Sequence, residues 1–216
     1  GIQSNEITPV PSLNDLIVEK CNLQSNDIGP LFSLVAAAGS ISSVALEGNN
    51  LHGIQSDQIT PAPSLENLGF QGCNLQSNDI GPLFSIVAAA GNIKTVLLTG
   101  SDLHGIKSDQ ITPVSSLEDL FIPNCNLQSN DIGPLFFIVA AAGSVKKLVL
   151  DGNDLHGIHG DHQICPVPSL EELSLKKCNL QSNDSGPLSS VVAAAGSITT
   201  VLLGGNDLQI TSSTLF

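Results

Sequence analysis

CNLQSNDIGPLF fills residues 21–32, recurs letter for letter from Cys73 and from Cys125, and returns from Cys178 with two letters changed. The successive offsets are 52, 52 and 53 residues. Self-similarity at a fixed period of this size predicts a solenoid, because each unit is too small to enclose a core and must bury its apolar face against its neighbours. Function in such a stack is expected on a surface rather than inside an enclosed pocket.

Working outward from that segment, each period holds two half-units with the spacing L-x-x-L-x-L-x-x-(C/N)-x-L. The first runs Leu13, Leu16, Val18, Cys21, Leu23 and the second Ile41, Val44, Leu46, Asn49, Leu51. Eight such units begin at 13, 41, 65, 93, 117, 145, 170 and 198, so their lengths alternate between 28 and 24 or 25 residues. This pattern resembles the leucine-rich repeat family, and the long and short alternation with Cys and Asn sharing one ladder position resembles its ribonuclease-inhibitor-like branch. The resemblance implies an α/β leucine-rich repeat solenoid, curved, with a parallel β-sheet on the concave face and the helices of the long repeats on the convex face. Residues 1–216 then form one solenoid, with 1–12 the remnant of a preceding repeat and 209–216 its C-terminal end. GIQSNEITPVP at the start matches GIQSDQITPAP from Gly53, so the protein is expected to extend further toward its N-terminus.

The spacing itself carries a mechanical reason. Residues i, i+3 and i+5 of each unit point inward from a short strand and its approach, and stacking the units makes a parallel sheet. The long unit adds NDIGPLFSLVAAAG, where Asp27 is placed to cap a helix whose early turn tolerates Pro30. Leu31, Leu34 and Val35 supply an inward stripe, and Gly39 a stop. In the short unit, LHGIQSDQITPVPSL carries prolines and polar residues that support only a turn or a short extended piece.

The chain has 20 acidic residues against seven lysines and no arginine, a net charge of -13. That balance argues against nucleic acid, which is gripped through its phosphates by Lys and Arg, and favours a basic protein partner through steering. No apolar run approaches the roughly 18 to 20 residues of a membrane span. Ladder cysteines two strands apart are separated by ~10 Å, beyond disulfide reach, so Cys21, Cys73, Cys125 and Cys178 are expected as buried thiols. With Cys165 making an odd fifth, cysteine usage favours the cytoplasm or another reducing compartment. One glycosylation sequon, Asn183-Asp184-Ser185, stands against that and is common by chance.

Comparison of the copies separates scaffold from variable positions. Convex segments are nearly constant, whereas the outward strand column reads Ile17, Ala45, Gly69, Leu97, Phe121, Val149, Ser174, Leu202. This points to a concave recognition face for a protein partner, with Ile17, Glu19, Glu47, Leu97, Thr99, Phe121, Val149, Asp151, Lys176 and Leu202 as its candidate residues. Leu97, Phe121 and Val149 fall on consecutive strands among polar neighbours, the arrangement of an apolar interface centre with Phe121 as anchor. The same residues also fit ordinary strand composition.

The alternative is a structural or scaffold subunit of a larger assembly, packing through the convex faces that carry Phe32, Phe84 and Phe136 or through an open N-terminal edge. His52, His104 and His156 recur at one turn and read as structural residues there. The last copy adds His159, His162 and Cys165 to His156, which has the chemistry of a zinc or copper site. Those residues read better as an irregular loop with one inserted residue, because no established metal motif has this spacing. Glycine-rich fragments lack phosphate-loop spacing and no nucleophile has a base placed by spacing, so neither a cofactor nor catalysis is expected.

Overall fold

The computed structural model describes residues 11–56, 59–108, 112–158 and 165–208. Eight three-residue strands form one parallel sheet in chain order: β1 (Asp15–Ile17), β2 (Ser43–Ala45), β3 (Asn67–Gly69), β4 (Thr95–Leu97), β5 (Asp119–Phe121), β6 (Lys147–Val149), β7 (Glu172–Ser174) and β8 (Thr200–Leu202). The register places Leu16, Val44, Leu68, Val96, Leu120, Leu148, Leu173 and Val201 in one continuous row. From Val44 to Leu173 this row is buried. It forms the spine of a core that no single unit could close by itself.

Each long unit adds an eleven-residue helix: α1 (Ile28–Ala38), α2 (Ile80–Ala90), α3 (Ile132–Ala142) and α4 (Ser185–Ala195). A 3₁₀ turn leads into each one, beginning with Ser25–Asp27 in the first copy. Asp27 does not cap the α-helix as expected. Its carboxylate reaches back to accept the Gln24 N–H at 2.9 Å and so caps the 3₁₀ turn. Pro30 fits because the first helical turn needs no N–H there, and Gly39 closes the helix at φ 67°, a conformation that costs glycine little. Among the described residues the short units contain no helix.

The buried stripe of α1 is Ile28, Leu31, Phe32 and Val35, with Leu34 only partly covered. The expected stripe is therefore rotated, because Ile28 and Phe32 stand one turn apart on the face that meets the sheet. Phe32, Phe84 and Phe136 are 1–2% exposed. They are core residues, and a convex docking face made of them is ruled out. In α4 the stripe shrinks to Leu188, Val191 and Ala195, with Ser185 and Ser189 half-buried where the other copies have Ile and Phe.

The joints between units are polar. Asn49 Oδ1 accepts the N–H groups of Cys21 and Leu23, both at 3.0 Å, while its Nδ2 donates to the carbonyls of Val18 and Leu46 at 2.7 and 3.0 Å. Asn153 and Asn206 repeat this fourfold bridge. The thiols of Cys73, Cys125 and Cys178 continue it, donating to the carbonyls of Leu46, Leu98 and Leu150 in the preceding unit at 2.6, 3.1 and 3.2 Å. These three are buried and free, but Cys21 is exposed. Its expected burial fails, and its thiol donates to the carbonyl of Glu19 in its own unit at 3.2 Å. Ser101 holds the Asn position in one unit, and its buried hydroxyl has no partner.

Candidate functional site

Leu97, Phe121 and Val149 stand in direct register on β4, β5 and β6. Their side chains are half-buried, since each leans on its neighbours across strands about 4.8 Å apart. The Lys147 ammonium lies 5.8 Å from the Phe121 ring centroid and 2.9 Å from a Glu172 carboxylate oxygen. A cation over an aromatic face is attracted by the ring quadrupole, so Lys147 forms one polar border of the apolar strip. Asp119 borders the strip too, and burial raises its carboxyl above the ordinary range despite the opposing pull of Lys147.

The other expected positions separate into groups. Thr99 follows β4 and is half-buried. Asp151 is held inward: its Oδ1 accepts the Ser174 hydroxyl at 2.6 Å and the Lys176 N–H at 3.0 Å. That contact buries Ser174, which does not present itself outward as its column position suggested. Lys176 is exposed beside it. Ile17 is 71% exposed on β1, Glu19 pairs with Lys20 at 2.7 Å, and Glu47 is exposed after β2. Leu202 lies on β8, seven strand steps from Ile17 or about 34 Å. Leu97, Phe121, Val149, Thr99, Asp151 and Lys176 thus share one region, while Ile17 and Leu202 mark opposite ends of the face.

A second feature escaped the sequence reading. Just before the strands, Glu66 meets Lys94 and Glu118 meets Lys146, each pair at 2.8 Å. Hydrogen bonding to Glu66 raises the Lys94 pKa, and the Glu118 bond does the same for Lys146 while lowering Glu118 itself. These pairs border a groove of about 370 Å³ lined with Ser115, Ser116, Ser144 and Ser169. Alternation of Glu and Lys at positions 66, 94, 118, 146 and 171 was the available signal. Exposed pairs of this kind contribute little to stability, and they leave both lysines occupied.

The recurring histidines are bridges. His52, His104 and His156 place Nδ1 at 2.9, 3.0 and 3.1 Å from Oδ2 of Asp79, Asp131 and Asp184 in the following unit. Those aspartates are 1–2% exposed, and each also accepts a glycine N–H from the preceding unit and a glutamine N–H from its own. The proposed metal ligands His159 and His162 lie outside the described residues. His156 is taken up by Asp184, and Cys165 is half-buried and free. Among the described residues no three His, Cys, Asp or Glu side chains gather as a metal site. Asn183 is exposed in the 3₁₀ turn before α4, and the next residue, Asp184, is buried. Among the described residues no helix is long and apolar enough to cross a membrane.

Phe137 was also missed. It is 47% exposed on α3, where the other helices carry Ser33, Ser85 and Ser190. Ser33 and Ser85 pair with Thr60 and Thr112 at 2.9 and 2.8 Å. In the copy that has Phe137, the threonine position holds Cys165, so both halves of the polar pair change together.

No protein-family model matches the chain. Ribonuclease inhibitor of Mus musculus is 25% identical over 224 residues, covering 93% of this chain and 47% of that protein. Ribonuclease inhibitor of Sus scrofa is 25% identical over 223 residues, covering 96% and 48%. The chain therefore spans about half the length of these relatives. An internalin from Listeria monocytogenes, at a TM-score of 0.38 and 16% identity, covers 95% of this chain and 67% of its own.

Proposed function

We propose, from the premise that the chain is a leucine-rich repeat protein of ribonuclease-inhibitor-like organisation, that its sheet face is a non-catalytic binding surface for a protein partner. The observation that carries this reading is the strip Leu97, Phe121, Val149, in register on three adjacent strands and bordered by Lys147 and Asp119. Interface centres combine an aromatic anchor with a polar rim that excludes water. The two relatives are named for inhibiting a ribonuclease, a protein target, which favours the same class of role. The net charge of -13 favours a basic partner, drawn in by steering.

The strip alone is too small for a stable complex, which needs about 800 Å² from each partner. Contact must extend along the sheet toward Thr99, Asp151 and Lys176 on one side and Glu47 on the other. Cross-linking the full chain to proteins of its source cells, followed by mass spectrometry, identifies the partner and the face it covers. Phe121→Asp, once shown to unfold at the wild-type temperature, should weaken that complex by about tenfold or more. Unchanged affinity would remove the strip from the interface.

A further inference from the structure

The central column of the sheet face drops from Ile17 to Ala45 and Gly69 before rising again at Leu97. The two small residues leave a notch of about 170 Å³, with Leu97 at its edge and Ser43, Asn67, Gln71 and Thr95 around it. Gln71 folds across the floor: a Cβ added to Gly69 would stand 2.7 Å from its Oε1. That oxygen is buried and receives no donor. A buried acceptor left unpaired is disfavoured relative to one that is satisfied.

Polar capacity on this face is unevenly committed. Over β6 and β7, Lys147 is paired with Glu172 and Asp151 with Ser174. Around the notch, the side chains of Ser43, Asn67, Gln71 and Thr95 make no hydrogen bond among the described residues. Glu47 and Gln71 are neighbours across the ladder, where the Gly48 N–H donates to the Gln71 carbonyl at 2.8 Å. Glu47 forms no ion pair among the described residues, and the nearby Lys20 is held by Glu19. The notch therefore combines the small residues Ala45 and Gly69 with an acceptor without a donor, and Glu47 is the ladder neighbour of its Gln71.

We propose that this notch receives one long cationic side chain, lysine or arginine, of the protein partner. Its methylene stem displaces the Gln71 amide from Gly69 and lies over Ala45 and Gly69 against Leu97, as such stems lie on apolar surface elsewhere. Its donors satisfy Gln71 Oε1 and reach the Glu47 carboxylate, which arginine and lysine serve without offering any acceptor in return. An anionic group is excluded by Glu47 and by Asp15 on the neighbouring strand. This assignment rests on the sheet face being the binding surface.

The test uses the full chain and a phage-displayed library of random linear peptides. Peptides enriched on the wild type should carry Lys or Arg at a fixed place. They should bind about tenfold or more weakly to Gly69→Leu and, independently, to Ala45→Leu, two variants that fill the notch and whose unfolding temperatures are measured alongside. Enriched peptides without a basic residue, affinities unmoved by both fillings, or no enriched peptide at all would each overturn the proposal. Phe121→Asp separates the two readings. Binding lost with Phe121→Asp but retained by both filled variants overturns the notch and leaves the face standing. Binding lost with the filled variants but retained by Phe121→Asp leaves the notch and removes the central strip.

Discussion

His104 Nδ1 lies 3.0 Å from Asp131 Oδ2, joining a short unit to the 3₁₀ turn of the long unit that follows it. The same carboxylate accepts the N–H groups of Gly105 and Gln128 at 2.8 and 2.9 Å. One buried side chain therefore fastens two consecutive units and caps the 3₁₀ turn of the second.

Removing that carboxylate strands two backbone donors and one imidazole. Asp131→Ala is expected to lower the unfolding free energy by about 2–4 kcal/mol. His104→Ala should cost about 1 kcal/mol, since its ring is partly in water and can be replaced by solvent. Urea denaturation of both variants checks the order, and equal losses would contradict it.

Ser101 breaks the asparagine ladder and leaves its hydroxyl buried without a partner. Asn at this place should reproduce the bridge of Asn153, accepting the N–H groups of Cys73 and Leu75 and donating to the carbonyls of Phe70 and Leu98. Ser101→Asn is expected to raise stability by about 1–2 kcal/mol, read as a higher denaturation midpoint with an unchanged slope. A fall in the midpoint would show that the slot is too tight for the amide.

Burial pushes the thiols of Cys73, Cys125 and Cys178 up to about 11 from the ordinary 9.0. Between pH 9.0 and about 11 these groups ionise in the unfolded chain while the folded chain keeps them protonated. Stability that is fully present below the unfolded value must therefore drain away across that window. Denaturant midpoints at pH 8 and at about pH 10 measure the loss. In the native protein Ellman's reagent should titrate Cys21 quickly and these three only after unfolding.

Lys177 is held at φ 55°, where the equivalent positions carry Lys20, at φ 48°, Gly72 and Asn124. A lysine gains nothing from that left-handed conformation, which asparagine tolerates better. Lys177→Asn is expected to raise stability by up to about 1 kcal/mol, measurable as a higher thermal midpoint. A drop would mean that the stem over Gly205 contributes more than the backbone strain costs.

Legibility in the sequence followed the physics of repetition. The eight strands and their register could be read because burial repeats the same letters at Leu16, Val44, Leu68 and onward, and α-helix ends could be read from Gly39. The bonds of Asp27 and Asp131 could not, because a carboxylate at a helix start fits several backbone partners and only the fold chooses among them. On the sheet face, Phe121 stood out as a letter, whereas Gly69 did not. A notch is made by what neighbours lack, and the covering by Gln71 depends on a rotamer. Phe137 could not be read because phenylalanine recurs in these helices at core positions, and a second Phe beside Phe136 does not by itself show which side of α3 it takes.

The Ser101 vacancy also has a mechanical side. Every joint in the stack is a set of cross-links between adjacent rungs, and the rungs bearing β3 and β4 are joined without the fourfold amide clamp present at Asn49, Asn153 and Asn206. Those two rungs carry Gly69 and Leu97, the floor and edge of the notch. Among the joints that lead from a long unit to a short one, compliance is thus greatest beneath the part of the face with the most unspent hydrogen-bonding groups, and amide exchange should begin there before it begins at the joints held by Asn49, Asn153 and Asn206.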